Sequence, residues 1–118
     1  MYIQVEYRPN LNWVTLYLEG NLTAATCRDF EKKFQTVLPH PGVVLLDLSE
    51  VKLLDSTGLG SLIRVLKLSI HHQSRLLLAG IQASPRLVLE LTRTEQLFEI
   101  YDSLSAALAS LEMEAQIA

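Results

Sequence analysis

Two short apolar runs, each followed by a stretch with helical spacing, constrain the fold more than any other feature of the chain. They are residues 43–49 (VVLLDLS) and residues 75–80 (RLLLAG). A continuous apolar run of this length, with β-branched residues opening the first of them, is typical of a strand that is covered on both faces. Strands that alternate with helices in this way indicate a mainly parallel sheet with crossover connections.

The N-terminal part has a different pattern. Residues 2–7 and 13–19 alternate between apolar and polar side chains, which predicts two half-buried strands. A turn around residues 8–12 (RPNLN) would join them as an antiparallel pair. Helical spacing then predicts a helix from about Thr23 to Leu38, which Pro39 would end.

The C-terminal part predicts two more helices and a strand. Ser84 followed by proline predicts a helix start with the serine as N-cap. A short strand is expected at residues 98–101, and Asp102 or Ser103 can cap a last helix. The expected inner stripes are Leu87, Leu91 and Val88 on the third helix, and Leu104, Ala107, Leu108 and Leu111 on the fourth.

The predicted fold is therefore α/β, as one domain over residues 1–118. Its sheet would be mainly parallel, with four to five strands and an N-terminal antiparallel strand pair. About four helices complete the order β-β-α-β-α-β-α-β-α. No repeat or linker divides the chain.

Composition excludes several functional classes. The chain is 49% hydrophobic with a net charge of −3, and no cluster of Lys and Arg is long enough to follow a nucleic-acid backbone. One cysteine, Cys27, rules out an intrachain disulfide and favours a reducing compartment. Residues 1–10 lack the features of a signal peptide, and the apolar runs are too short for membrane insertion. We therefore expect a cytoplasmic protein.

The stretch LLDSTGLGSLIRVLK, residues 53–67, is the most informative motif. Ser56 is expected to be the N-cap of the second helix, and Asp55 suits the positive end of the helix dipole. Gly58 and Gly60 lie in the first turns, where each costs roughly 0.5–1 kcal/mol relative to Ala. Helix formation alone does not call for them, whereas close approach by a partner would.

A helical projection from Thr57 divides this helix into two faces. The face expected to be buried carries Leu59, Leu62, Ile63, Leu66 and Ile70, and the opposite face carries Ser61, Arg64, Val65, Leu68 and His72. Val65 and Leu68 are apolar where a solvated helix would carry charge. They indicate either a partner surface or burial by a neighbouring helix of the same chain.

Motifs for catalysis are missing. Ser56 is not in a Gly-x-Ser-x-Gly elbow, and none of the three histidines, His40, His71 and His72, has a reason to meet it. The glycines match neither a P-loop nor a dinucleotide fingerprint. His71 and His72 lack a second pair of metal ligands, so we expect no metal, no cofactor and no enzyme activity.

The chain resembles the STAS domains, named for sulfate transporters and anti-sigma factor antagonists, and above all the small bacterial antagonists. LLDSTGLGSLIRVLK is similar to their central motif, which runs apolar-Asp-Ser-Ser/Thr-Gly-apolar-Gly before a helix. The segments LYLEGNLTAAT and VVLLDLSEV before it, and the strand, helix, strand and helix after it, extend the resemblance over nearly the whole chain.

The resemblance implies a partner switch. An unphosphorylated antagonist of this family binds an anti-sigma factor that is also a serine kinase, which frees a sigma factor. The kinase phosphorylates the motif serine, here Ser56, and a metal-dependent serine phosphatase resets the protein. Asp55, Gly58 and Gly60 match the motif's aspartate and glycines. By this resemblance the chain is a regulatory protein of transcription and signal transduction.

One turn departs from the family pattern. Antagonists often carry Gly-Glu-Leu-Asp after the second strand, whereas this chain has neutral Asn21 and Thr23 at the acidic positions. Thr23 can still cap the first helix. The expected partner-binding residues are Asn21, Thr23, Asp55, Ser56, Thr57, Gly58, Gly60, Ser61, Arg64, Val65 and Leu68.

Two other functions compete with this one. A STAS protein of a stress-signalling scaffold, or a cytosolic subunit of a lipid or anion transport system, would have the same fold and no anti-sigma target. A small enzyme with Ser56 as nucleophile would need a base that the sequence does not place beside it.

Overall fold

A computed structural model describes residues 1–8, 12–38 and 42–117 of the chain. Two predictions, the turn centred on residues 9–11 and the end of the first helix at Pro39, lie outside the described residues, as does His40. The strands are β1 (Tyr2–Arg8), β2 (Trp13–Glu19), β3 (Val43–Glu50), β4 (Arg75–Ala79) and β5 (Glu99–Tyr101). The helices are α1 (Cys27–Val37), α2 (Ser56–His71), α3 (Ala83–Leu91) and α4 (Leu104–Ile117), with a short 3-10 helix at Glu95–Leu97.

The five strands form one sheet in the order β1-β2-β3-β4-β5. β1 pairs with β2 in antiparallel orientation, and the other three pairings are parallel. The predicted fold class and element order are confirmed. The parallel arrangement brings the carboxyl ends of β2, β3 and β4 to one edge, where loops that carry function are commonly found.

Both faces of the central strands are covered, which explains their continuous apolar runs. One face packs against α1, α2 and α3; its buried residues include Leu16, Leu46 and Leu78 from the strands and Phe34, Leu62 and Leu89 from the helices. On the other face, Leu45 and Leu77 belong to a second cluster with Ala107 and Leu111 of α4. The stripe predicted for α4 is confirmed, and Ser103 caps the helix by accepting a hydrogen bond from the N–H of Ala106 at 3.1 Å.

Two helix starts differ from the predictions. α1 begins at Cys27 rather than near Thr23, because residues 23–26 form a turn before it. α3 begins at Ala83 with Gln82 as N-cap, so Ser84 lies inside the helix instead of capping it.

The inner stripe predicted for α3 is wrong for Leu87 and Leu91, whereas Val88 is half-buried and packs against the core as predicted. Pro85 and Leu89 are buried, while Leu87 and Leu91 are 53% and 76% exposed. The observed buried positions lie two residues before the predicted ones. Two residues correspond to about 200° around a helix, so this shift exchanges the buried and exposed sides of α3.

Candidate functional site

The central motif lies where the chain leaves β3 and enters α2. The segment before α2 runs beside Leu22, in the connection from β2 to α1, and forms a parallel bridge between Leu22 and Leu54. The Leu22 N–H donates to Leu53 O at 2.9 Å, and the Asp55 N–H donates to Leu22 O at 3.3 Å. These backbone contacts fix the start of α2 against the turn that precedes α1.

Asp55, rather than Ser56, is the N-cap of α2. One oxygen of its carboxylate, Oδ1, accepts a hydrogen bond from the N–H of Gly58 at 2.7 Å. The other, Oδ2, accepts from the N–H of Ala24 at 3.2 Å. The predicted Ser56 cap is therefore wrong, and the reason is physical: aspartate caps as well as serine, and it has a second oxygen for the neighbouring loop.

Ser56 is the first residue of α2, and its side chain is exposed, as is that of Thr57. The N–H groups of these two residues have no acceptor among the described residues, as is usual for the first positions of a helix. The site thus presents two hydroxyls to solvent beside two unpaired N–H donors.

The structure shows why position 58 is a glycine, which the sequence alone did not. A Cβ at this position would lie 2.0 Å from Leu22 O and 2.9 Å from Leu54 Cδ1. The absence of a side chain lets α2 approach the backbone of the β2–α1 connection. The expectation that helix packing does not call for this glycine is therefore wrong.

Gly60 is different. A Cβ at Gly60 would meet only Arg64 Nη1, at an ordinary 3.5 Å. Packing within the chain does not require this glycine, so close approach by another molecule remains a candidate reason for it.

The predicted outward face of α2 is only partly outward. Ser61 and Val65 are fully buried, whereas Ile70, which was expected in the core, is 65% exposed. Val65 belongs to the cluster that contains Phe34 of α1. Burial by a neighbouring helix of the same chain is thus the correct alternative for Val65, and neither Ser61 nor Val65 offers a side chain to a partner in this structure.

A polar cluster joins α1 to α2 beside the motif. Glu31 of α1 accepts two hydrogen bonds from Arg64, from Nε at 2.8 Å and from Nη2 at 3.1 Å. It also accepts one from Ser61 Oγ at 2.7 Å. The hydrogen bond from Arg64, with a smaller contribution from Ser61, holds the pKa of Glu31 below its usual value. Glu31 was not predicted as a site residue, since nothing local marks a contact 33 residues away.

Next to this cluster is a shallow groove between α1 and α2. It is lined by Glu31, Gln35, Arg64, Lys67 and Leu68. Leu68 is half-buried, so part of its side chain faces this groove, in agreement with the outward position predicted for it.

The turn with the two neutral substitutions lies against the motif. Asn21 is exposed, and its carbonyl accepts a hydrogen bond from Thr26 Oγ1 at 2.7 Å. Thr23 does not cap α1 with its side chain: its Oγ1 accepts from the N–H of Ala25, and its carbonyl accepts from Thr26 and Cys27. Thr23 adjoins Ala24, whose N–H donates to Asp55, and Asn21 adjoins Leu22, which bridges to Leu54, so the structure brings the turn that carries Asn21 and Thr23 next to the start of α2.

Catalytic or metal-binding partners for Ser56 are not found in the described part of the chain. His71 stands at the opposite end of the same helix, about 22 Å from Ser56 along the axis. The described ranges hold no group of three or more potential ligands for a metal ion. In those same ranges, no helix has the length and apolar character needed to cross a membrane.

A comparison with protein-family models matches the STAS domain over residues 2–107. The chain belongs to the STAS domain family. This confirms the family that the motif and the element order indicated.

Known relatives agree with this membership. An anti-sigma-B factor antagonist of Listeria monocytogenes is 28% identical over 102 residues, which cover 85% of this chain and 90% of the relative. A crystal structure of an anti-sigma factor antagonist from Mycobacterium paratuberculosis superposes with a TM-score of 0.81 at 21% identity, covering 94% of this chain and 93% of the other.

A domain of a transport protein shares the same fold. The STAS domain of a SulP transporter from Vibrio cholerae has a TM-score of 0.72 at 21% identity, covering 86% of this chain and 82% of that domain. At these identities the structural matches establish a common fold, and the fold alone does not distinguish an antagonist from a transporter module.

Proposed function

We propose that this STAS protein is an anti-sigma factor antagonist that acts as a phosphorylation-controlled partner switch. The unphosphorylated form binds an anti-sigma factor serine kinase and thereby releases a sigma factor. The kinase transfers the γ-phosphoryl group of ATP to Ser56 Oγ, with ADP as the leaving product, and the complex dissociates. A serine phosphatase hydrolyses the phosphoester and resets the protein. Such a cycle takes place in the cytoplasm, where sigma factors act.

The main support for the proposal is that the Ser56 side chain is exposed and does not cap the helix. Its side chain is exposed at the first position of α2, and Asp55 has taken over the capping that would otherwise occupy a serine hydroxyl there. A kinase can therefore reach this hydroxyl without unfolding the helix. The family membership and the antagonist from Listeria support the same function.

A phosphate on Ser56 should change binding much more than folding. It adds about −1.5 to −2 charges and acceptor oxygens at a helix N-terminus. There the N–H groups and the helix dipole favour an anion by about 0.3–1 kcal/mol, so the fold should be retained. In a protein interface the same group must lose water or meet like charge, at a cost of several kcal/mol. About 4 kcal/mol corresponds to roughly a thousandfold loss of affinity.

The proposed contact surface consists of exposed and half-buried residues around Ser56. On α2 it contains Thr57, Gly60, Arg64 and the exposed part of Leu68, and on the neighbouring turn it contains Asn21 and Thr23. Asp55 and Gly58 support this surface from beneath, since their contacts are with Leu22, Ala24 and the start of α2. Ser61 and Val65 act through packing.

The proposal is tested by purifying the tagged chain from its native cells under several growth conditions. Intact-mass spectrometry followed by peptide mapping would show whether one phosphoryl group is present and where. We expect a single phosphoryl group on Ser56. Thr57 carries the adjacent hydroxyl and is also exposed, so it is the control for position: the mapped phosphoryl group should lie on Ser56 and not on Thr57, and Ser56→Ala should abolish it.

Partner capture then separates the antagonist from other STAS functions. We expect the wild-type chain to retain a small ATP-binding kinase, and enzymatically phosphorylated chain to lose it. Recovery of a transporter subunit or a large signalling assembly, with binding unaffected by the state of Ser56, would contradict the proposed function and favour the other STAS roles.

A further inference from the structure

Ser56, Gly60 and Arg64 form a stripe along α2. They are spaced at i, i+4 and i+8, which places them one above another on the same side of a helix. Ser56 and Arg64 are exposed and Gly60 is half-buried. The stripe is thus an open strip of surface that leads from the arginine to the proposed phosphoacceptor.

The guanidinium of Arg64 lies back along this stripe, towards the N-terminus of the helix, as long helical side chains do. Its Nε and Nη2 donate to the carboxylate of Glu31, which fixes the plane of the group. The remaining nitrogen, Nη1, lies over Gly60, where it would be 3.5 Å from a Cβ atom. Within the described part of the chain, Nη1 has no acceptor.

We propose that Arg64 Nη1 is a hydrogen-bond donor to the phosphate of phosphorylated Ser56, with Glu31 as the residue that positions the guanidinium for it. The side chains of residues at i and i+4 are about 5–6 Å apart at Cβ, and Gly60 places no atoms in between. A phosphoryl group extends two bonds beyond Ser56 Cβ and so spans most of that gap. Arginine suits this contact because its N–H donors match phosphate oxygens.

The charges around Ser56 explain why this contact would stabilise the phosphorylated form. Asp55 adjoins Ser56 in the chain, and its carboxylate already serves two backbone N–H groups. A phosphate at Ser56 therefore adds about −1.5 to −2 charges next to an existing negative charge. Arg64 supplies the cation on the same stripe, and Glu31 binds its Nε and Nη2, which leaves the Nη1 donor available to the phosphate. The inference rests on the proposed phosphorylation of Ser56 and deepens it.

The test uses protein in which phosphoserine is incorporated at position 56 by genetic encoding, so no kinase is needed. Titration followed by phosphorus NMR measures the second pKa of the phosphate. A cation close to the phosphate stabilises its dianion and lowers this pKa. At the separation of about 4 Å that a hydrogen bond to the phosphate implies, removing the charge by Arg64→Gln should raise the pKa by roughly three-quarters of a unit in water.

Lys67→Gln is the matched control, since it removes one exposed cation from the same helix. Lys67 lies about 16 Å from Ser56 along the axis, beyond the Debye length of about 8 Å at physiological salt. Its replacement should change the phosphate pKa by much less than Arg64→Gln does. Arg64→Lys keeps the charge but lacks the planar guanidinium, so its phosphate pKa should lie between that of the wild type and that of Arg64→Gln.

Equal shifts for Arg64→Gln and Lys67→Gln, or no shift for either, would overturn the inference. This outcome is distinct from failure of the proposed function. If no phosphoryl group is ever found on Ser56 in cells, the proposed function fails, while the titration still reports whether Arg64 faces a phosphate at that position.

Discussion

Replacement of Gly58 by alanine tests how the start of α2 is built. The added Cβ would lie 2.0 Å from Leu22 O, 2.7 Å from the carbonyl carbon of Leu22 and 2.9 Å from Leu54 Cδ1. A carbon and a carbonyl oxygen normally stay about 3.3 Å or more apart, so the two backbones must separate by more than about 1 Å. Two of the three contacting atoms are backbone, which cannot turn away as a side chain can.

The cost follows from what this separation disturbs. Overpacking of this kind costs about 1–3 kcal/mol. The displaced turn would also weaken the hydrogen bonds of Leu22 and Asp55 across the gap, each worth about 0.5–1.5 kcal/mol. Alanine returns at most about 1 kcal/mol through its better helix propensity. The net loss in the free energy of unfolding is therefore about 2–4 kcal/mol.

Urea denaturation followed by circular dichroism measures this loss. With a slope of about 2 kcal/mol per molar, a loss of 3 kcal/mol lowers the midpoint by about 1.5 M. Gly60→Ala is the control, because its Cβ meets only the end of a flexible side chain; it should be neutral or stabilising by up to about 1 kcal/mol. A Gly58→Ala protein as stable as wild type, or an equal loss in both variants, would refute the packing argument.

Two further perturbations test the cap and the C-terminal helix. Asp55→Ala removes the acceptor of two backbone N–H groups and should lower the free energy of unfolding, measured by urea denaturation, by about 1–2 kcal/mol. Ser56→Ala should lower it by less than about 0.5 kcal/mol. A larger loss for Ser56→Ala than for Asp55→Ala would show that the serine is the cap. Arg75 hydrogen-bonds Glu99 and Glu114, which lowers the pKa of both carboxyls below the ordinary 4.5. The two ion-paired carboxylates contribute to the stability of the fold above pH 4.5, and this contribution is lost as the pH falls through their lowered pKa values. Arg75→Gln should therefore make the melting temperature fall less between neutral and acid pH. An unchanged fall would contradict the pairing.

The order of elements could be predicted because it depends on patterns within short segments. The residues of β3 are continuously apolar since both of its faces are covered, and those of α4 repeat at helical spacing because only one side meets the sheet. The central motif of residues 53–60, combined with this order of elements, indicated the family. These signals are local, so no knowledge of neighbours was needed.

The contacts of α2 could not be predicted in the same way, because they depend on neighbours distant in sequence. Its buried arc meets the sheet on one side and α1 on another, which moves Val65 and Ser61 inside and leaves Ile70 outside. A projection that assumes one apolar face cannot represent two. The close approach of Gly58 to Leu22 is likewise a contact between segments 36 residues apart.

In the candidate site, Asp55 caps the helix and the hydroxyl of the adjacent Ser56 is left available. If Ser56 were the cap, its hydroxyl would be held by a helix N–H, and each phosphorylation would remove a stabilising bond of about 1 kcal/mol. With Asp55 as the cap, the helix start is held independently of what is attached to Ser56. In the proposed switch, Ser56 would gain and lose a phosphate while the surrounding surface keeps its shape. A partner that distinguishes the two forms would respond to the charge and bulk at one position, and Arg64 would set how that charge is compensated.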